Sequence, residues 1–253
     1  KLEYVAQIKA TKTKEKYPLT EGQKRFWILH QFNQSTAAHI TSVSKIKGEF
    51  NPIAFTNALK TIVNRHDSLR TVFNTDLDEV YQEVIPPNAF EFEVSMLDFS
   101  SQATPKKLAK SRAYDIANSS FDLSKGPLLR VELIKITSSQ YYFIFVIHHI
   151  ISDGWSIDII SKELQTLYKA YSLGKPSPLS PLRLQYSDYV SWYKTYETSE
   201  SYEVSRNYWL QRFSGELPSL ELSFANTGGD VLSFSGAYIH HDFDTSISKK
   251  LKN

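Results

Sequence analysis

Apolar residues recur along this chain in two rhythms. Phe26, Trp27, Leu29 and Phe32 supply one apolar side, and Thr20 and Gln23 ahead of them form a T-x-x-Q capping box, which predicts a helix over about 21–32. A polar strand follows at about 40–47. Asn51-Pro52 places a cap residue and a pre-set proline before Phe55, Leu59, Ile62 and Val63, a second amphipathic helix. The end of the stretch from Arg65 to Phe73 reads as a strand, with a hairpin partner at 80–85. Phe90, Phe92, Val94 and Met96 alternate with polar residues, predicting a half-buried strand. Thr104-Pro105 repeats the cap-then-proline signal for a helix reaching about 119. Residues 121–127 read as a loop and 128–136 as a strand. The run from Tyr141 to Ile150 is apolar on both faces, which places it in the middle of a sheet. Ser152 or Asp153 then caps a long helix whose inner face carries Ile157, Ile160, Leu164, Leu167 and Tyr171.

The remaining chain is less regular. Residues 1–16 are rich in lysine and read as a solvated linker. Three prolines between Gly174 and Pro181 mark a connector, taken as 174–184. Tyrosine-rich helices are expected at about 185–196 and 204–214, the second stopped by Gly215 and Pro218. An alternating strand is expected at 237–243 and a helix opening at 246–252. The domain reading is a first lobe over 17–173 and the incomplete beginning of a second over 185–253. The fold class is α/β, an α+β two-layer sandwich.

Composition narrows the chemistry. Across 253 residues, 29 Lys and Arg against 27 Asp and Glu leave a net charge of +2, which gives no reason to expect nucleic acid or an anionic membrane as partner. The absence of cysteine removes disulfides, thiol nucleophiles, thiolate zinc sites and iron–sulfur clusters together, and is consistent with a cytoplasmic location. No apolar run is long enough to span a membrane. The 15 Tyr, 15 Phe and 4 Trp point to thick packing or an amphipathic groove. No phosphate-binding glycine loop is present, and no metal site is expected.

The densest chemical signal is Ile147-His148-His149-Ile150-Ile151-Ser152-Asp153-Gly154-Trp155-Ser156. Adjacent strand residues point to opposite faces, so the two imidazoles are not expected to share one metal, and one can enter a cleft while the other packs. The turn into a helix at Asp153-Gly154 presents free N–H groups and a partial positive charge, suited to a developing oxyanion. A histidine supplies a proton acceptor near neutral pH.

This H-H-x-x-x-D-G pattern resembles that of the condensation domains of nonribosomal peptide synthetases, relatives of chloramphenicol acetyltransferase. Four further stretches resemble the family in order and spacing: Leu19 to Trp27, Arg65 to Phe73, Phe121 to Arg130 and Tyr186 to Trp192. The resemblance implies two similar lobes in a V, with a tunnel between them. Carrier domains deliver thioesters on phosphopantetheine arms to opposite mouths, and amide-bond formation follows. It implies no directly bound cofactor, and neighbouring adenylation or ketosynthase domains as partners. It assigns the tunnel-facing role to His149; Gly154 either lets the backbone approach the substrate or donates an N–H to the oxyanion, and His148 mainly packs, with a direct catalytic effect as the alternative. It pairs Asp153 with Arg65 as a structural bridge, and offers Trp155, Ser156, Tyr186 and Trp192 as tunnel wall. The chain is expected to be a fragment cut after the first lobe, inactive alone. The start at Leu19-Thr20-Glu21-Gly22-Gln23 is reminiscent of condensation domains that follow polyketide modules; a heterocyclising subtype is disfavoured, and epimerisation stays open. Two other readings stand beside this one: a non-catalytic recruitment module, and a free-standing acyltransferase resembling chloramphenicol acetyltransferase.

Overall fold

The computed structural model describes residues 8–33, 36–77, 79–218, 239 and 241–252. It divides into two compact units, Lys1–Glu216 and Leu217–Asn253.

In the first unit the chain runs β1 (Tyr17–Pro18), α1 (Glu21–Asn33), a 3-10 turn (Thr36–Ala38), β2 (His39–Lys47) and α2 (Pro52–Arg65). A second 3-10 turn (Asp67–Arg70) leads to β3 (Thr71–Asp76), β4 (Glu79–Val84), β5 (Ser95–Asp98), α3 (Pro105–Ala117), β6 (Leu129–Thr137) and β7 (Gln140–His148). The helices α4 (Gly154–Ser172), α5 (Tyr186–Tyr196) and α6 (Glu200–Arg212) complete it. The described part of the second unit holds α7 (Thr245–Lys252). Of the strand expected at 237–243, residues 237, 238 and 240 lie outside the described residues, and 239 and 241–243 are not in a strand.

The main sheet has the order β2-β7-β6-β5, with β5 parallel to β6 and the other pairs antiparallel. The all-apolar β7 takes the central place its sequence requires. Its odd residues face α2 and α4: Phe143 meets Phe55 edge-on at 5.0 Å. Its even residues face α3, since Ile144 stands opposite Glu132, which Arg112 of α3 grips at 3.0 and 2.6 Å. Ile144, Val146 and Ile147 are essentially inaccessible to solvent. Burial of this many large apolar side chains, at roughly 1.5–3 kcal/mol each, dominates the stability of the lobe. A smaller sheet, β1-β4-β3, lies beside it.

Local signals explain the helix starts. Asn51 Oδ1 accepts the Ala54 N–H at 3.0 Å, with Pro52 at the first helical position. Gly126 has φ +56°, and a Cβ there would meet Val72 Cγ1 at 3.0 Å, so the turn into β6 needs glycine for both backbone and space. Arg70 is buried and ties three segments together, donating to Val63 O at 3.1 Å, to Ile85 O and to Asp67 Oδ1 at 2.6 Å.

One expectation is corrected. The alternation at 90–96 does not form a ladder: the strand begins at Ser95, and its half-buried residues are Ser95 and Leu97 while Met96 is exposed. Phe92 is buried as anticipated, but by packing without strand pairing. Residues 9–16 are exposed, and within them Thr11 donates its N–H and hydroxyl to Asp188 Oδ1 at 2.7 and 3.0 Å and Lys16 reaches Asp76 at 2.5 Å. Helices α5 and α6 fall in the first compact unit, where Gln185 donates to Arg65 O at 2.9 Å and Asp188 accepts from Thr11.

Candidate active site

Strand β7 ends at His148, and the next residue opens the turn that leads to α4. The backbone there is fixed on both sides. His148 donates its N–H to Leu128 O at 3.0 Å and His149 to Ala38 O at 2.7 Å. The alternation of the strand sends the two rings apart, as the sequence predicts.

His148 is fully buried. Its Nδ1 accepts the Ile150 N–H at 3.1 Å. Burial first, then its neighbours His39, His30 and His149, push its conjugate acid down to about 3, so it stays neutral at any physiological pH. His149 instead lines a cleft of about 260 Å³. Its ring lies flat on Phe26 of α1, centroids 4.5 Å apart and planes 15° from parallel. The rest of the lining includes Thr20, Gln23, Thr71, Asp153, Ser156 and Tyr186.

Each lining group is held by a neighbour. The Thr20–Gln23 capping box forms as expected, with Thr20 N–H donating to Gln23 Oε1 at 3.0 Å and Gln23 N–H to Thr20 Oγ1 at 3.4 Å. The Tyr186 hydroxyl lies 3.1 Å from Thr20 Oγ1, joining α5 to α1; burial pushes the phenol pKa up, and the bond to Thr20 opposes that. Gln23 and Gln82 pair their amides at 2.8–2.9 Å.

Asp153 caps α4. Its Oδ1 accepts the Ser156 N–H at 2.8 Å and the Ser156 hydroxyl at 2.7 Å, which holds the carboxyl below its ordinary range. The expected Asp153–Arg65 pair therefore does not form. Arg65 lies at the end of α2, where packing against α4 brings it to Glu163 at 3.0 Å; it also donates to Ser180 O at 2.6 Å. His66 reaches the same carboxylate at 2.7 Å. The bridge joins two helices behind the cleft, and Arg65 does not line it.

The structure thus brings together His149, Asp153, Ser156 and Tyr186 and leaves out others. Trp155 is 77% exposed on the outer side of the first turn of α4. Trp192 stacks on Tyr196, centroids 5.2 Å apart, and is not part of the lining. Gly154 is the first residue of α4, and a Cβ there would meet nothing within 4 Å, so packing gives no local reason for glycine. Phe26 is the contributor missed by sequence reasoning. Its helical spacing from Gln23, one turn away on the same face, was the available signal. Among the described residues no group of His, Asp or Glu is arranged to hold a metal ion, and no helix is long and apolar enough to cross a membrane.

Residues 13–253 match the condensation-domain family model. The chain is 33% identical over 241 residues to malpibaldin synthetase of Mortierella alpina, covering 94% of this chain and 4% of that protein. It is 35% identical over 247 residues to bacitracin synthase 3 of Bacillus licheniformis, covering 97% of this chain and 4% of the relative. Among solved structures, the starter condensation domain of rhizomide synthetase superposes with a TM-score of 0.72 at 23% identity, over 79% of this chain and 48% of that one. The chain spans a small fraction of the synthetases it matches and about half of the solved domain's chain.

Proposed function

The chain belongs to the condensation-domain family, and from that premise we propose that it carries the histidine-bearing side of a site that joins an acyl thioester to an amine. The observation that supports this most directly is His149, set in the cleft on Phe26 at the N-terminal end of α4.

The proposed substrates arrive on the phosphopantetheine arms of donor and acceptor carrier domains. The α-amine nitrogen of the acceptor attacks the donor carbonyl carbon, and a C–N bond forms. The C–S bond breaks, the thiol leaves with a proton, and the amine loses one. His149 accepts a hydrogen bond or the proton from that amine. With an amine pKa of about 8, a useful neutral fraction exists at pH 7, so orientation by His149 carries much of the effect. The N–H of Gly154, at the positive end of α4, donates to the oxygen that gains charge. Asp153 serves by holding that helix end, its carboxylate being occupied by Ser156. Adenylation or ketosynthase neighbours supply the loaded carriers in this reading.

The test follows donor transfer to an aminoacyl carrier by intact mass, with the complete domain and this 253-residue chain in parallel. Amide formation by the complete domain alone, lowered at least about 100-fold by His149→Ala, supports the reading. Unchanged turnover in His149→Ala overturns the role of His149. Carrier binding with no amide from either protein replaces the reading with recruitment.

A further inference from the structure

His148 packs against two further histidines from distant parts of the chain, His30 and His39. The ring of His148 stands 5.5 Å from that of His30 and 5.7 Å from that of His39, centroid to centroid, and Phe121 packs edge-on against His39 at 4.9 Å. His30 Nδ1, His39 Nε2 and His148 Nε2 are all buried with no protein hydrogen-bond partner. Buried polar atoms nearly always have a partner, and three orphans in adjacent rings call for one.

The other ring nitrogens fix the protons. His148 Nδ1 accepts from the Ile150 N–H, so its proton is on Nε2. His39 Nδ1 lies 2.9 Å from Ala117 O, which can only accept, so His39 carries its proton on Nδ1 and offers a lone pair at Nε2. The cluster therefore presents a donor, an acceptor and a third nitrogen free to take either role. A protonated His148 Nε2 cannot ligate a metal, but one water satisfies all three: it accepts from His148 and donates to His39 and His30. A buried water makes hydrogen bonds of about 2.8–3 Å and needs two to four polar partners, which these three nitrogens supply.

We propose that His30, His39 and His148 hold a single buried water, and that this water positions the end of β7 that presents His149. His39 and His148 are directly opposed in the β2–β7 register, and the next N–H along, that of His149, donates to Ala38 O. The water thus sits on the frame from which His149 projects. The second clause rests on the reading of His149 given above; the water itself does not.

The test is long-range 1H–15N correlation of the histidine rings in the full chain, with cross-relaxation to water, for the wild type, His39→Gln and His39→Leu. The expected result is a slowly exchanging proton on His148 Nε2, a proton on His39 Nδ1, and a cross-peak from His148 to bound water. Glutamine retains an acceptor, so His39→Gln keeps that cross-peak and leaves the His149 ring shifts in place. His39→Leu loses the cross-peak and moves the His149 shifts. Protonation of His148 at Nδ1, a scalar coupling across a direct His148–His39 bond, or one tightly held metal ion per chain overturns the water. An unmoved His149 in His39→Leu overturns the positioning role alone. If His39→Leu does not fold, the wild-type protonation and water cross-peak decide the water, and the His149 shifts of His39→Gln decide positioning: movement there despite a retained water overturns it.

Discussion

Lowering the pH should unfold this protein by protonating His148 in the unfolded chain. In the fold its conjugate acid is held down to about 3, chiefly by burial and then by His39, His30 and His149. In the unfolded chain it returns to its ordinary value of about 6.5. The folded value is the depressed one, so the stabilising contribution is complete above about 6.5. It is lost progressively as pH falls toward 3, because the unfolded state binds the proton first. By pH 5 the unfolded chain is protonated here about thirtyfold over neutral while the folded chain is still neutral, a loss of about 2 kcal/mol from this residue alone. Burial lowers His30 and His39 as well, which adds to the loss with the same sign. The assay is urea denaturation at pH 7, 6 and 5, followed by circular dichroism, for the wild type and His148→Gln. Removing a buried side chain lowers stability at every pH, so only the change with pH is compared. The wild type should lose about 2 kcal/mol more than the variant between pH 7 and 5. Parallel pH dependences in the two proteins would refute the reasoning.

Three further outcomes follow from the same geometry. Asp153→Ala should cost about 1 kcal/mol, the worth of a helix cap, seen as a Tm lowered by about 2–4 °C; a loss of 3–5 kcal/mol would mean that a buried ion pair had been broken instead. Glu163→Gln, which strips Arg65 and His66 of their shared carboxylate, should cost about 1.5–3 kcal/mol by urea denaturation, more than Asp153→Ala although it lies outside the cleft. Phe26→Ala removes the face on which His149 lies and should slow amide formation about 3–10-fold in the complete domain, read as kcat by intact mass; an unchanged kcat would deny the stack any part in orienting the ring.

Local signals carried most of the fold. Asn51-Pro52 and the Thr20–Gln23 box named their helices because capping is settled within four residues. The run from Tyr141 to Ile150 named its own place because only a central strand buries both faces. The alternation at 90–96 misled because periodic burial does not require a ladder, and the edge strand pairs at 95–98 with its half-buried residues at Ser95 and Leu97. At the site, H-H-x-x-x-D-G predicted the divergent histidines and the capped helix. The partner of Arg65 was hidden because three carboxylates, Asp153, Asp158 and Glu163, lie on α4 or its cap, and the packing of α2 against α4 decides between them. His30 and His39 carried no local signal. Their meaning arises from a register and a helix placement that bring them to a residue more than a hundred positions away.

The bond between Thr11 and Asp188 joins residues 177 positions apart. Asp188 is only 6% exposed, and two of its hydrogen bonds come from Thr11. A recombinant junction placed just before Tyr17 would preserve every strand and helix of the first unit, yet leave that carboxylate short of donors under a helix that also supplies Tyr186 to the cleft. The exchangeable block in this protein therefore begins upstream of its first regular element, and grafts between members of the family should carry the segment from before Thr11 together with α5 as one inherited piece.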